Sequence, residues 1–403
     1  MTYNETVEWL FTRLPMFQRI GAAAYKADLD NTIKFCHYLG NPQNSFPCFH
    51  IGGTNGKGST SHMLAAILQK HNFKTGLFTS PHLKDFRERM RVQGIQASEE
   101  FVVQFVSKHF DYLQNNTLSF FEMAFGMSMT YFKEMGVDVA VIEVGMGGRL
   151  DSTNIVKPEI SVITNVSLDH VQFLGNSREA IAKEKAGIIK SKVPIVIGQR
   201  HFETDFVFME FAKRLGSPIY FADDENYLEV FSDLKGAYQK KNIRTVLTTL
   251  KHQSFFVPDD NIVLYALTQV GSLTGLRGRW ETLSKDPLVI CDTAHNEDGI
   301  LNILPQLIGL NAEKIHFVLG MVDDKDSTQI LAHLPKDAEY YFASPNIPRG
   351  KPAEKLRNEA LKMGLIGEKY DNVSAAIHAA KTNCTENQIV FIGGSTFVVA
   401  EAI

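Results

Sequence analysis

Short, nearly unbroken apolar runs alternate along this chain with longer stretches of helical periodicity. The first run, Cys48-Phe49-His50-Ile51, is followed by a glycine-rich turn and a helical segment over 59–71. An extended run at 75–79 and helical stretches around 99–114 and 120–135 come next. Val137-Asp138-Val139-Ala140-Val141-Ile142-Glu143-Val144 reads as a buried strand, β-branched and almost wholly apolar. Ile160-Ser161-Val162-Ile163-Thr164 and Val193-Pro194-Ile195-Val196-Ile197 read as two more. Strands without polar alternation, separated by helices, predict a parallel sheet covered on both faces.

A second series begins later. Leu288-Val289-Ile290-Cys291, Ile315-His316-Phe317-Val318-Leu319, Tyr340-Tyr341-Phe342-Ala343 and Gln388-Ile389-Val390-Phe391-Ile392 read as strands, with helical segments near 298–309, 326–334, 353–363 and 372–382. This predicts a separate α/β unit of about 120 residues, an ordinary domain size. Gly and Thr break the helical pattern across Thr274-Gly275-Leu276-Arg277-Gly278-Arg279, which places the boundary there: 1–278 is the expected first domain and 279–403 the second.

Composition changes this picture little. The 403 residues are 44% hydrophobic and 21% charged, as in an ordinary globular chain. Lys+Arg is 41 and Asp+Glu 45, a formal net charge of −4. That argues against a broad nucleic-acid-binding face and leaves room for a small anionic substrate beside a local basic cluster. Cys36, Cys48, Cys291 and Cys384 lack metal-finger spacing and read as small buried hydrophobes of a reducing compartment. The start, Met1-Thr2-Tyr3-Asn4-Glu5, has no basic region leading into an apolar run, and no apolar stretch reaches the ~18–20 residues of a membrane span. A cytoplasmic protein without membrane or nucleic-acid partners is expected.

The richest chemistry follows the first strand. Gly52-Gly53-Thr54-Asn55-Gly56-Lys57-Gly58-Ser59-Thr60 leaves a strand and opens a helix, the context of a phosphate-binding loop. Glycines let successive N–H groups converge on an anion, and the helix N-terminus adds its positive end. Lys57 is expected at the outer phosphates and a hydroxyl, of Ser59 or Thr60, at the metal. Gly58 stands between lysine and hydroxyl, a departure from the common G-x-x-x-x-G-K-[ST] spacing; a bare glycine-rich turn is the alternative. A nucleoside triphosphate brings Mg²⁺, which takes oxygen ligands. Glu143 ends a predicted parallel strand, where side chains enter the ligand crevice, and Gly145-Met146-Gly147-Gly148 follows it. Ser167-Leu168-Asp169-His170 follows the next strand. A lone histidine is more often structural, but its place after a strand end favours a site. Ala182-Lys183-Glu184-Lys185-Ala186-Gly187-Ile188-Ile189-Lys190 reads, on charge alone, as a solvated helix face.

Taken in order, the loop 53–59, Thr79-Ser80-Pro81-His82, the run 143–154, Leu168-Asp169-His170 and Lys183-Glu184-Lys185-Ala186-Gly187-Ile188 resemble the folylpolyglutamate synthase / dihydrofolate synthase family, of the Mur-ligase superfamily. Gln239-Lys240-Lys241-Asn242, Gly278-Arg279-Trp280-Glu281, Asp292-Thr293-Ala294-His295-Asn296, Asp324-Lys325-Asp326 and Gly393-Gly394-Ser395 extend the resemblance over essentially the whole chain. It implies an α/β fold: a P-loop parallel-sheet ATPase domain that also binds pterin, then a smaller Rossmann-like α/β glutamate-ligase domain. The implied activity is ATP-dependent amide formation between a dihydropteroate or folate carboxylate and L-glutamate through an acyl phosphate. Folylpolyglutamate synthase activity alone, or a non-ligase P-loop phosphohydrolase, are the alternatives. The implied cofactors are ATP and Mg²⁺, with a monovalent cation such as K⁺ as an open addition, and the expected state is a monomer.

The resemblance also implies roles. Gly53, Thr54, Asn55, Gly56, Lys57, Gly58 and Ser59 would bind ATP, joined by Asn242, Arg279 and Asp292. Ser80, Glu143 and His170 would hold the metal. Lys57, Glu143, His170 and Lys185 would carry catalysis, with Lys185 carbamylated so that an ammonium becomes a carboxylate. Ser119, Phe120, Phe121, Glu122, Leu150, Asp151 and Ser152 match the pterin-binding stretches, Ser119 standing where the family usually has Thr. His295 and Ser395 fall where the incoming glutamate binds. The basic residues Lys57, Lys84, Arg87, Arg89, Arg91, Lys183, Lys185, Lys190 and Arg279 are expected to gather around ATP and an anionic folate. The segment 200–236 reads as shorter than in relatives, with a reduced small sheet and a less certain register for Asn242. Arg19-Ile20-Gly21-Ala22-Ala23-Ala24-Tyr25 is the folate-side N-terminal segment, or a Gly/Ala-rich turn.

Overall fold

The computed structural model describes residues 1–16, 28–323 and 326–403. The chain divides into two compact units. The first holds the described residues up to 233 together with Gln239–Leu276; the second holds Leu234–Tyr238 and Arg277–Ile403.

The first unit is built on an eight-stranded sheet: β1 (Cys48–Gly52), β2 (Thr75–Phe78), β3 (Met90–Val92), β4 (Ile95–Gln96), β5 (Val139–Glu143), β6 (Ile160–Ile163), β7 (Ile195–Ile197) and β8 (Ile219–Phe221). Its order is β4-β3-β2-β5-β1-β6-β7-β8. From β2 to β8 all pairs are parallel, and β3 and β4 add an antiparallel edge. β1, β2, β5, β6 and β7 are buried at every residue, because helices cover both faces, which is why these strands read as unbroken apolar runs. Helix Lys57–Lys70 is buried from Ser59 through Leu68, as befits a helix enclosed on all sides. Helix Phe120–Met135 starts at a capping box, Ser119 with Glu122, and stops at Gly136 in the left-handed region, the punctuation expected of a well-defined helix. No helix of the described residues is long and apolar enough to cross a membrane.

The second unit carries β9 (Glu281–Lys285), β10 (Leu288–Cys291), β11 (Lys314–Leu319), β12 (Glu339–Ala343), β13 (Gly367–Tyr370) and β14 (Gln388–Gly393), in the order β13-β12-β11-β14-β10-β9. All pairs are parallel except β9 with β10. Alternate residues feed two cores. Ile290, Phe317, Leu319, Tyr340, Phe342 and Phe391 pack on one face, and Val289, Cys291, Val318, Tyr341, Val390 and Ile392 on the other, the two-residue period of a strand.

The α/β class and the principal strands match the sequence pattern. The edges do not: β4 has two residues and β13 is the polar run Gly-Glu-Lys-Tyr, and short polar edge strands carry no apolar signature. The helix expected near 326–334 is regular only over Thr328–Leu331. In place of a separate small sheet, the segment after 200 supplies helix Asp205–Leu215 and β8, which extends the main sheet.

Candidate functional site

β5, β1 and β6 are neighbours and parallel, with Ile51 opposite Glu143 and Gly52 opposite Ile163. Their C-terminal ends therefore present three segments side by side: the glycine-rich loop after β1, Glu143 at the end of β5, and 164–170 after β6. Ligands of open α/β sheets bind along that edge.

The loop is fixed from the β6 side. Thr54 N donates to Asn165 O at 3.1 Å, Asn55 N to Asn165 Oδ1 at 2.9 Å, and Thr164 Oγ1 to Asn55 O at 2.6 Å. Thr54 Oγ1 and the Ser167 backbone exchange two more bonds. Gly53 (φ +140) lies so close to Thr164 that a Cβ would stand 1.9 Å from Thr164 Oγ1. Gly56 (φ +84) is the N-cap of helix Lys57–Lys70, and a Cβ there would come within 2.3 Å of Asn242 Oδ1. This places Asn242, on helix Gln239–His252, directly against the loop. Gln239 beside it accepts from Asn242 Nδ2 at 2.8 Å and donates to Ser59 Oγ at 3.1 Å.

Two lysines converge on the same loop. Lys57 Nζ donates to Thr54 O at 3.1 Å and Lys185 Nζ to Gly53 O at 2.7 Å. Lys185 is 2% exposed; it lies on the inner face of helix Arg178–Ala186, while Lys183 sits outside with Glu179. The charge pattern suggested a solvated face, and only the fold separates the two. Burial, reinforced by the Lys57 cation, brings the Lys185 amine down to about 7.

Glu143 is 4% exposed, and its Oε2 accepts from Ser80 N at 3.0 Å, so the segment after β2 joins the same edge. His170 adopts φ +50, a conformation sparsely used by non-glycine residues and worth notice at a site. Arg89 is buried, and burial lowers it to about 10 against the opposing pull of Glu143. Among the described residues no group of three or more His, Cys, Asp or Glu could hold a metal. The Ser80 hydroxyl and the Glu143 carboxylate are oxygen donors of the kind a hard cation takes, and the His170 imidazole is a nitrogen donor.

The two predicted pterin stretches take clear structural positions. Ser119 N donates to Glu122 Oε2 at 2.6 Å and Glu122 N to Ser119 Oγ at 3.2 Å. Phe120 is core, whereas Phe121 is half-buried against Gly145. Asp151 accepts from Met146 N at 2.8 Å and from Thr153 Oγ1 at 2.5 Å. Burial pushes its carboxyl up, against those bonds. Leu150 is half-buried and Ser152 buried.

In the second unit Asp292 follows β10 and accepts from Tyr238 OH at 2.6 Å, Trp280 N at 2.7 Å and Ala294 N at 2.8 Å; burial raises it. Arg279 donates to Thr293 Oγ1. His295 Nδ1 donates to Thr293 O at 3.0 Å, and Ser395 caps helix Thr396–Ala402. Asp292, His295 and Ser395 thus follow the C-terminal ends of adjacent strands β10 and β14.

The expected basic gathering takes a narrower form. Arg87 pairs with Asp85, Lys190 with Asn154, and Lys183 faces outward. Arg91 Nη1 donates to Gly94 O at 3.3 Å. The sequence reading missed Thr164, Asn165 and Ser167 as the loop's clamp; their only signal is polar residues directly after an apolar strand. Arg19-Ile20-Gly21-Ala22-Ala23-Ala24-Tyr25, and Asp324 and Lys325, lie outside the described residues.

Residues 51–262 match the Mur ligase middle domain and 278–396 the Mur ligase glutamate ligase domain. The chain is 32% identical over 437 residues to a probable bifunctional folylpolyglutamate synthase/dihydropteroate synthase of Haloferax volcanii, covering 100% of this chain and 50% of that protein. It thus spans half the length of that relative. It is 30% identical over 436 residues to the folylpolyglutamate synthase of Lacticaseibacillus casei, covering 99% of this chain and 97% of the relative. Among solved structures, Escherichia coli FolC in complex with DHPP and ADP superposes with a TM-score of 0.88 at 28% identity, over 100% of this chain and 97% of that one. The bifunctional folylpolyglutamate synthase/dihydrofolate synthase of Yersinia pestis with AMPPNP and Mn gives 0.86 at 26% identity, over 100% and 97%. With both domain families matched and full-length relatives at this identity, the chain belongs to the folylpolyglutamate synthase/dihydrofolate synthase family, ATP-dependent ligases of the Mur-ligase superfamily.

Proposed function

We propose that this protein joins the carboxylate of a dihydropteroate or folate to the amine of L-glutamate at the expense of ATP. The observation that carries this reading is the convergence, on adjacent ends of β5, β1 and β6, of the glycine loop, Glu143 and the segment leading to His170, with Lys185 against Gly53 O. The relatives bound to ADP with DHPP, and to AMPPNP with Mn, support it.

A carboxylate and an amine do not condense at neutral pH, because the leaving group would be oxide. In the proposed reaction a carboxylate oxygen of the acid substrate attacks the γ-phosphorus of ATP. The bond to the β-phosphate oxygen breaks, and ADP leaves. The glutamate nitrogen then attacks the acyl carbon; inorganic phosphate departs with the C–O bonding pair, and the nitrogen loses a proton. The chain's share is orientation and charge. The N–H groups of 53–59 and the Lys57 ammonium receive the phosphates, and Asn242 borders the loop. Ser80, Glu143 and His170 would hold Mg²⁺, which when bound neutralises phosphate charge. Lys185 would act as its carbamate. In this reading 1–278 binds ATP and pterin, and 279–403 supplies Arg279 and Asp292 to ATP and His295 and Ser395 to glutamate.

The test is ADP release by the purified chain with ATP, Mg²⁺ and L-glutamate, adding dihydropteroate or tetrahydrofolate separately. Release that requires both acid and glutamate is expected, and the two acids separate first-glutamate from later-glutamate addition. Full-rate release without glutamate would instead favour a phosphohydrolase.

A further inference from the structure

His82 belongs to the Thr79-Ser80-Pro81-His82 motif, yet the proposed chemistry uses only Ser80. Its surroundings are specific. Arg89 Nε donates to His82 Nδ1 at 2.9 Å. A guanidinium can only donate, so Nδ1 must be the acceptor. The imidazole is therefore neutral and carries its proton on Nε2; an imidazolium would oppose two donors. Nε2 has no hydrogen-bond partner among the described residues, and His82 as a residue is half-buried.

The donor is held in an apolar frame. The His82 ring stacks on Phe11 at 6.1 Å between centroids and meets Phe86 edge-on at 6.4 Å. Phe120 contacts both phenylalanines, at 5.3 and 5.4 Å. The Arg89 guanidinium lies 5.3 Å above the Phe120 ring. Arg89 and Phe120 are each buried, at 3% and 2% exposure. The backbone is equally fixed: Thr79 N donates to Arg89 O at 3.1 Å, and Glu88 Oε1 and Oε2 accept from the N–H groups of Leu83, Lys84 and Asp85 at 2.8–3.0 Å. A locked tautomer, an open N–H and flanking aromatic rings are what an orienting contact to an aromatic acid requires.

We propose that His82 donates its Nε2–H to an oxygen of the aryl-acid substrate, and that Arg89 is the positioning residue that holds the donor in this tautomer. The inference rests on the ligase reading above and assigns its acid-substrate side a further binding residue. Its test compares His82→Gln, which retains an N–H donor, with His82→Leu, which retains bulk alone. Saturation is measured separately for dihydropteroate, ATP and glutamate, with circular dichroism to verify folding. His82→Leu is expected to raise KM for the acid roughly 10-fold or more, the worth of one lost hydrogen bond to a charged group, with KM for ATP and glutamate unchanged and His82→Gln recovering most of the loss. In ¹⁵N NMR of the wild type, the His82 ring should show a protonated Nε2, and Arg89→Met should release that tautomer.

Unchanged acid KM in a folded His82→Leu, a parallel rise in all three KM values, or a wild-type ring protonated on Nδ1 would each overturn the proposal. Failure of the ligase reading is separable, because wild-type protein would then release no ADP in response to acid and glutamate.

Discussion

Lys185 allows the most direct quantitative test of the site. Its amine is brought to about 7, first by burial and then by the Lys57 cation, with Asp169 and Asp151 pulling the other way. Only a neutral amine attacks CO₂. At pH 7 about half of such amines are neutral, against about 1 in 3,000 for an ordinary lysine at 10.5, a gain of roughly a thousandfold. The product nitrogen keeps one hydrogen, so the bond to Gly53 O at 2.7 Å survives, while the new carboxylate relieves the repulsion from Lys57. Purified protein incubated with ¹³C-bicarbonate from pH 6 to 9, normalised to dissolved CO₂, should gain one slowly exchanging carbamate signal with a midpoint near 7. Lys185→Arg should abolish the signal, and Lys57→Met should move the midpoint upward. A label that persists in Lys185→Arg, a midpoint near 10, or fully active enzyme whose Lys185 is unmodified by mass spectrometry would refute the reasoning. Stability without CO₂ follows with a defined sign. Between about 7 and 10.5 the unfolded chain binds a proton that the folded amine does not, so resistance to denaturant should rise with pH across that window.

Three further perturbations are specific. Gly56→Ala must tolerate φ +84 and a Cβ 2.3 Å from Asn242 Oδ1; about 1–2 kcal/mol of backbone strain plus the clash should lower the melting temperature and weaken nucleotide binding, and Asn242→Ala added to it should recover only the clash. Glu143→Ala should remove turnover, measured as ADP release, while circular dichroism stays native; near-normal turnover would exclude a metal role. Tyr238→Phe removes the 2.6 Å bond to Asp292 Oδ2 and should cost about 1–2 kcal/mol in chemical denaturation, whereas Asp292→Ala strands two further donors, Trp280 N and Ala294 N, and should cost more.

What the sequence revealed and what it concealed divide along a physical line. Features generated by neighbours in sequence were legible. The run Cys48-Phe49-His50-Ile51 into Gly52-Gly53 announced a strand and its loop. The run 137–144 announced a buried strand with a carboxylate near its end, found over Val139–Glu143, and the two strands pair side by side in the sheet. Features created by distant contacts were not. Lys183 and Lys185 are two residues apart and equally cationic by composition, yet one faces Glu179 in solvent and the other Gly53 O in the interior. The segment before helix Gln239–His252 leaves few apolar marks, so Asn242 could not be placed against Gly56 until the fold brought the helix there. His82 is the same lesson in a smaller space: the motif supplies the ring, but Arg89, seven positions on, decides which nitrogen can donate.

The two lysines at the loop show how these levels join. Lys57 and Lys185 donate to adjacent carbonyls, of Thr54 and Gly53, so two cations would share one turn of backbone. Burial, and after it the Lys57 cation, makes Lys185 the one that is hard to charge. Lys57, left as the cation, stands at the start of helix Lys57–Lys70, where the positive helix end already disfavours it. An anion placed on the loop N–H groups reverses that preference for Lys57, and a carboxylate made from Lys185 does the same from the other side. The arrangement that is electrostatically poor without ligand is favourable with a phosphate and a carbamate. This is why the loop's lysines argue for anion chemistry more strongly than its glycines do alone.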